Sequence, residues 1–181
     1  MLELASSLRH LVSASYLGKN LDAFSKADLH WLINEMLLEQ FRGEVILKAR
    51  LVNLFLRQNV TAAFEIKVHR SRADFLTLNG VSKSFEIKSA LDNLYKLPKQ
   101  INDYLRVFDY NYLVIDECHY KKALTIIPDR YGIMVLHGHQ LTEERPAALN
   151  TYLDSETQLK LFTKKEFAQT FRIPGISMHE V

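Results

Sequence analysis

The spacing of hydrophobic and polar positions changes several times along this chain. Leu29, Leu32, Ile33, Met36 and Leu37 recur every three or four residues, which is helical spacing. Ile46, Leu47, Leu51, Leu54 and Phe55 repeat it after Gly43. Ser25 with Asp28 three residues on forms an N-cap pattern. The spacing therefore predicts a helix from Ser25 and a second over 43–58, divided at Gly43, while residues 1–24, weakly patterned, predict one short helix and a loop. From Thr61 the pattern shortens. Ala63–Val68, Arg72–Leu78 and Val81–Lys88 are brief runs rich in β-branched and aromatic residues, with Asn79-Gly80 as a turn signal between the last two. Helical spacing returns over 97–108 in Leu97, Ile101, Tyr104, Leu105 and Phe108, with Pro98 in the first turn, where its missing N–H costs nothing. Tyr112–Ile115 and Tyr131–Leu136 are continuous apolar runs that read as buried strands, joined by a short helix near 119–124 and the turn-like Pro128-Asp129. Residues 138–160 read as a polar loop with a turn of helix, and Thr163 with Glu166 caps a last helix ending at Phe171.

Helix, three strands, helix, strand, short helix, strand is the order of a mixed α/β sheet with helices on its faces. The 181 residues are one domain's worth of chain with enough surface to bury a core. The expected division is a single domain over 1–181, with an N-terminal helical extension (1–40), a core (41–137) and a C-terminal loop and helix (138–181). A hydrophobic share of 48% and a charged share of 24% exclude a disordered or low-complexity chain. Net charge is only +2, so nucleic-acid affinity must come from a local patch. The single cysteine, Cys118, excludes a disulfide framework and a cysteine-built metal cluster. No run approaches the ~18 apolar residues of a membrane span, and Arg9 and His10 interrupt the start where an export signal needs apolar residues. A cytoplasmic protein with no membrane partner is the expectation.

Chemistry concentrates in Arg72-Ala73-Asp74 and Phe85-Glu86-Ile87-Lys88. Side chains alternate along a strand, so Ala73, Phe75, Phe85 and Ile87 are expected on one buried surface and Arg72, Asp74, Glu86 and Lys88 on the other. Hairpin register decides whether the carboxylates meet. A two-residue Asn79-Gly80 turn pairs Asp74 with Phe85 and sends the two acids to opposite faces. A three-residue Leu78-Asn79-Gly80 loop, with Gly80 left-handed, sets Asp74 against Ser84 and Arg72 against Glu86; the acids are then diagonal neighbours within about 7–8 Å. Two carboxylates and a lysine at a strand edge suit metal-assisted phosphodiester hydrolysis: oxygen ligands hold a hard divalent ion, the ion lowers the pKa of bound water, and the lysine offsets developing charge.

Asp74 with Glu86-Ile87-Lys88 resembles the core motif of the PD-(D/E)xK nuclease superfamily, and Gln100-x-x-x-Tyr104 resembles the QxxxY motif of its RecB-type and λ-exonuclease-type branch. The run from Ser71 to Asp109 is similar to a family of mostly uncharacterised bacterial and phage proteins placed in that superfamily. The resemblance covers about 40–137 and implies a restriction-endonuclease-like mixed β-sheet flanked by helices on both faces. It also implies a metal-dependent deoxyribonuclease, with Asp74, Glu86 and Lys88 catalytic. Mg²⁺ or Mn²⁺ would be held by Asp74, Glu86 and the backbone carbonyl of Ile87. Glu44 matches the place of an accessory acid, with Glu65 its rival. Gln100 and Tyr104, four apart and so on one helix face, would meet substrate together with Arg72 and Lys99. Ala73 stands where the motif often has proline. A non-enzymatic DNA- or protein-binding module on the same fold is the alternative reading.

Weaker signals surround this one. Asp92 suits either a helix cap or the outer site. His137-Gly138-His139 lacks further metal ligands. Cys118 lacks a supporting triad, and Asp116 and Glu117 would raise its thiol. The four-cysteine cluster of iron–sulfur nucleases is absent, as is a Gly-rich phosphate loop. DNA is the expected partner, and a homodimer or a partner protein would supply binding surface that so short a chain lacks.

Overall fold

The computed structural model describes residues 24–171. These residues fall into two units, divided between Arg42 and Gly43. In the first, α1 (Lys26–Gln40) begins at the expected N-cap, Ser25, and Asp28 makes the cap reciprocal: the Asp28 N–H donates to the Ser25 hydroxyl at 3.2 Å and the Ser25 N–H to the Asp28 carboxylate at 2.9 Å. Phe24, Ile33 and Met36 gather around buried Leu32. The short helix expected earlier falls in residues 1–23, outside those described.

The second unit is built on one six-stranded sheet in chain order: β1 (Thr61–Val68), β2 (Ser71–Leu78), β3 (Ser82–Lys88), β4 (Tyr110–Asp116), β5 (Gly132–His137) and β6 (Gln140–Arg145). The β3–β4 and β4–β5 pairs are parallel and the other three antiparallel. Parallel neighbours need a crossover. The first is α3 (Leu97–Leu105); the second is a 3₁₀ turn (Glu117–His119) running into α4 (Tyr120–Ala123). Ahead of the sheet lies α2 (Glu44–Phe55), which holds all of its expected apolar positions and ends before the expected residue 58. Successive residues of β4 and β5 go to different clusters, as alternation requires. Val114, Met134 and Leu136 pack with Phe75, Phe85, Ile87 and Leu47 and Leu51 of α2. Leu113, Ile115, Ile133 and Val135 pack with Leu97 and Ile101 of α3 and Ala123 of α4.

Three departures from the sequence reading have identifiable causes. First, α3 stops at Leu105 rather than 108. The N–H groups of Val107 and Phe108 both turn back to the Tyr104 carbonyl, at 3.0 and 3.1 Å. Both side chains stay buried, so the apolar pattern outlasts the helix. Second, the sheet does not end at 137: β6 lies inside the stretch read as polar loop. It pairs from His137↔Gln140 to Ile133↔Arg145 with a bulge on the way, and Gly138 at φ +58° makes the tight turn. An edge strand needs few apolar residues, and of β6 only Leu141 joins the core. Third, Ala73 does not share a surface with Phe75, for a reason that belongs to the site.

The C-terminal segment is tied to the end of α3. Asn150, buried, donates its amide to the carbonyls of Leu105 (2.5 Å) and Phe108 (2.9 Å), and its backbone N–H reaches Asp109 O at 2.8 Å. Beyond it lie α5 (Ser155–Leu159) and α6 (Lys164–Phe171). Thr163 and Glu166 exchange the expected capping-box bonds. No described helix is long and apolar enough to cross a membrane.

Candidate active site

The β2–β3 hairpin takes neither register weighed from sequence. Leu78 pairs with Ser82, so the loop is Asn79-Gly80-Val81, with Gly80 left-handed at φ +71° and the Asn79 N–H bonded to Val81 O at 3.1 Å. This three-residue loop lies one residue further along than the one considered. It keeps the same parity: extended by one pair, its register would set Asp74 opposite Glu86 rather than diagonal to it. The pairing ends at Phe75↔Phe85. Beyond it the Asp74 side chain enters the gap between the strands, and its Oδ2 accepts the Ile87 N–H at 2.7 Å. A side-chain carboxylate thus takes a strand amide that a backbone carbonyl would otherwise hold.

β1 shapes the same place. Glu65, in mid-strand, has φ +57°, a conformation uncommon for a non-glycine residue and one that stores strain. Phe64 on one side of it meets Phe75 of the α2-side core with tilted rings (4.9 Å between centroids). Ile66 on the other side packs with Ala73, Leu76 and Tyr104. Both strands therefore exchange faces across Glu65 and Asp74, which is why Ala73 parts from Phe75. The turn brings Glu65 toward α2. Carboxylate oxygens of Glu44, Glu65 and Asp74 lie within 4.8 Å of one another, and Lys48 bridges Glu44 (3.0 Å) and Glu65 (2.7 Å). Both acids weighed as the accessory ligand are in the trio.

Glu86 is 1% exposed and is held from the α3 side. Oε1 accepts from Lys88 Nζ and Gln100 Nε2, and Oε2 accepts from the Tyr104 hydroxyl at 2.7 Å. That hydroxyl also lies 2.6 Å from the Arg72 carbonyl. Gln100 and Tyr104, four apart on α3, thus act on the site through Glu86. Tyr104 is 1% exposed and offers no ring face to a base. Burial pushes the Glu86 carboxyl up against the opposing pull of Lys88 and of its hydrogen bonds. Asp74 is raised too, to about 7, by burial first and then by the charge of Glu86, with the Ile87 N–H and Lys88 opposing and Glu44 adding. Burial and the Glu86 charge also lift the Tyr131 hydroxyl well above its ordinary value. That hydroxyl and Gln100 Oε1 are buried polar atoms with no hydrogen-bond partner.

Glu44, Asp74, Glu86, Ile87, Lys88 and Gln100 line one open cleft of about 790 Å³. Its rim is basic: Lys67, Arg70 and Arg72 from the β1–β2 corner face Lys96 and Lys99 at the start of α3. The expected substrate residues are already engaged. Arg72 lies 3.8 Å from Glu65, and Lys99 donates to Ser71 Oγ (3.1 Å) and Asp103 (3.0 Å). Asp103 was not singled out from sequence. Burial opposes its charge, yet bonds from Ser71 and Lys99 hold its carboxyl below the usual range. Its only sequence signal was the spacing Lys99-x-x-x-Asp103. Lys67 and Arg70 were equally silent, because a surface cation has no pattern until the hairpin corner points it at the cleft. Asp92 does not cap α3; it accepts the Ser89 N–H at 2.8 Å and the Ser89 hydroxyl at 2.5 Å, closing the loop after β3. Gly138-His139 is the β5–β6 turn, and His137 is held by Glu144 at 3.1 Å.

Fold and site together define an α/β protein whose mixed sheet opens, where β2 and β3 part, into an acid-floored and base-rimmed cleft. Residues 24–175 match the model of the family described as bacteriophage P4 protein cII, and the chain belongs to that family. A search of curated proteins finds no match. Among solved structures the chain is similar to a protein of unknown function from Silicibacter pomeroyi, with a TM-score of 0.45 and 21% identity over 73% of this chain and 94% of that one.

Proposed function

We propose that this protein is a metal-dependent nuclease of PD-(D/E)xK type, with a restriction-endonuclease-like sheet flanked by helices on both faces, acting on DNA phosphodiesters in the cytoplasm. One observation carries the reading: Asp74, Glu86 and Lys88 converge where β2 and β3 separate, on the floor of a cleft with a basic rim. The donor set fits Mg²⁺ or Mn²⁺. Carboxylate oxygens of Asp74 and its neighbours Glu44 and Glu65 lie close together, and the Ile87 carbonyl shares a strand edge with the N–H that Asp74 accepts, all hard oxygen donors. Asp74 and Glu86, with Ile87 O and Glu44 or Glu65, would hold the ion. Bound there, it would polarise the phosphate and lower the pKa of a water. The chain's own groups do the rest. Tyr104 and Gln100 fix the Glu86 carboxylate, so little reorganisation is needed when charge develops. Lys88, held against Glu86, presents its remaining N–H donors to an attacking water and to the phosphate oxygens. The rim cations neutralise backbone phosphates on either side.

A second reading is favoured by the fact that both Glu86 oxygens are already engaged by Lys88, Gln100 and Tyr104. On that reading the chain binds DNA without cutting it. Incubation with circular, linear, single-stranded and branched DNA in Mg²⁺, Mn²⁺ or EDTA separates the two. The nuclease reading expects cleavage that metal restores and EDTA abolishes. Binding without cleavage in every metal would replace it with the second.

A further inference from the structure

The two most exposed large apolar side chains among the described residues are Tyr95 (85%) and Leu91 (74%), and both stand on the loop that joins Lys88 to α3. The loop is tightly built. Ser89, buried, bonds to Asp92 through its N–H and its hydroxyl, the Asp92 N–H returns to Ser89 O at 3.1 Å, and the His119 ring meets Ser89 O at 3.0 Å. The Tyr95 N–H is taken by Asn93 Oδ1 at 3.2 Å, and buried Leu94 anchors the segment in the core. Folding does not require two apolar side chains held in water on such a frame. Leu91 lines the catalytic cleft, and Tyr95 adjoins Lys96, which lines it too. Lys122 lies 5.7 Å from the Tyr95 ring centroid. The pair is therefore an apolar and aromatic shelf set among Lys96, Lys99 and Lys122.

Aromatic faces among lysines are the chemistry that holds unpaired bases: the cations follow the phosphates and the ring stacks on any base. Bases inside a duplex are stacked on one another and offer no such face. We infer that the Leu91–Tyr95 loop is a base-stacking shelf that directs unpaired nucleotides of single-stranded DNA, or of a frayed end, to the cleft. The inference rests on the nuclease reading for its substrate, while its own evidence is the shelf.

Binding isolates it. Fluorescence anisotropy of the full chain carrying Lys88→Ala, in Mg²⁺, compares a labelled single-stranded 20-mer with the blunt duplex of the same sequence. The single strand should bind on the order of tenfold more tightly. Adding Tyr95→Ala should weaken single-strand binding by about tenfold, the scale of one stacked base, and change duplex binding less than about twofold; Tyr95→Phe should retain the affinity. Leu91→Ala should act in the same direction by less. Equal affinity for both forms, an equal loss on both, or no loss with Tyr95→Ala would overturn the shelf. With Lys88 intact, single-strand cleavage left unchanged by Tyr95→Ala would sink the shelf and leave the nuclease standing. Single-strand binding through Tyr95 without cleavage in any metal would do the reverse.

Discussion

Asp74 carries an electrostatic cost that comes first from its burial and then from the charge of Glu86. A carboxyl raised from the ordinary range near 4 to about 7 keeps a proton in the folded protein that the unfolded chain has released. Its stabilising effect is full below about pH 4 and is lost as pH rises through about 7. A shift of that size is worth up to about 4 kcal/mol. In EDTA, Asp74→Asn, which cannot ionise, should therefore melt higher than wild type at pH 8, by up to roughly 8–16 °C at 2–4 °C per kcal/mol. The two should agree closely at about pH 3.5. Thermal melts at the two pH values check this, and equal melting at pH 8 would show that Asp74 ionises without cost. Tyr104→Phe tests the opposite side of the site. Removing the hydroxyl that lies between Glu86 and the Arg72 carbonyl should cost about 1–3 kcal/mol in denaturant unfolding. It should also lower any cleavage rate, since Glu86 loses one of the groups that fix it. Little of this detail was legible beforehand. The acids, the lysine and the Gln100–Tyr104 pair could be named from residue types and spacing. That Tyr104 serves Glu86, and that Glu65 turns left-handed to join Asp74 and Glu44, depends on backbone angles that no residue type at those positions announces.

Among the elements, the β2–β3 hairpin and β6 show why pattern alone falls short. Parity was right for the three-residue hairpin, but Asn79-Gly80 with Val81 admits loops differing by one residue, and sheet packing chooses among them. β6 was missed because an edge strand with Glu143, Glu144 and Arg145 reads as loop. Buried strands β4 and β5 were legible because both of their faces are apolar. β5 also carries a close contact that the sequence hid in a single glycine. A Cβ at Gly132 would lie 2.3 Å from the Tyr112 ring and 2.9 Å from the Ala147 backbone nitrogen. Tyr112 is itself stacked on Phe85, with 5.1 Å between centroids, so it cannot easily move aside. Gly132→Ala should destabilise by several kcal/mol, within the range of overpacked cores (about 1–3 kcal/mol or more). Urea unfolding against wild type measures it. A loss below 0.5 kcal/mol, taken as an approximate floor for a felt core change, would mean that β5 and the 147 segment separate freely.

Across the whole molecule, the parting of β2 and β3 brings together groups far apart in sequence. Glu44 comes from α2, Glu65 from β1, Asp74 from β2, Glu86 and Lys88 from β3, and Gln100 and Tyr104 from α3. Such a site, with its mutual repulsion of carboxylates, is stabilised by whatever neutralises it. Saturating Mn²⁺ or Mg²⁺ should raise the melting temperature of wild type, by the binding free energy RT ln(1 + [L]/Kd). The rise should shrink sharply in Asp74→Asn. Equal metal-induced shifts in both proteins would place the ion elsewhere. Single-turnover DNA cleavage in Mn²⁺, comparing wild type with Lys88→Ala, tests the nuclease reading, with circular dichroism establishing that both are folded. The wild-type rate should fall by two orders of magnitude or more in the variant, the scale of a lost charge-stabilising group (about 10²–10³). Cleavage unchanged by the substitution, or none in wild type although metal and DNA both bind, would contradict that reading.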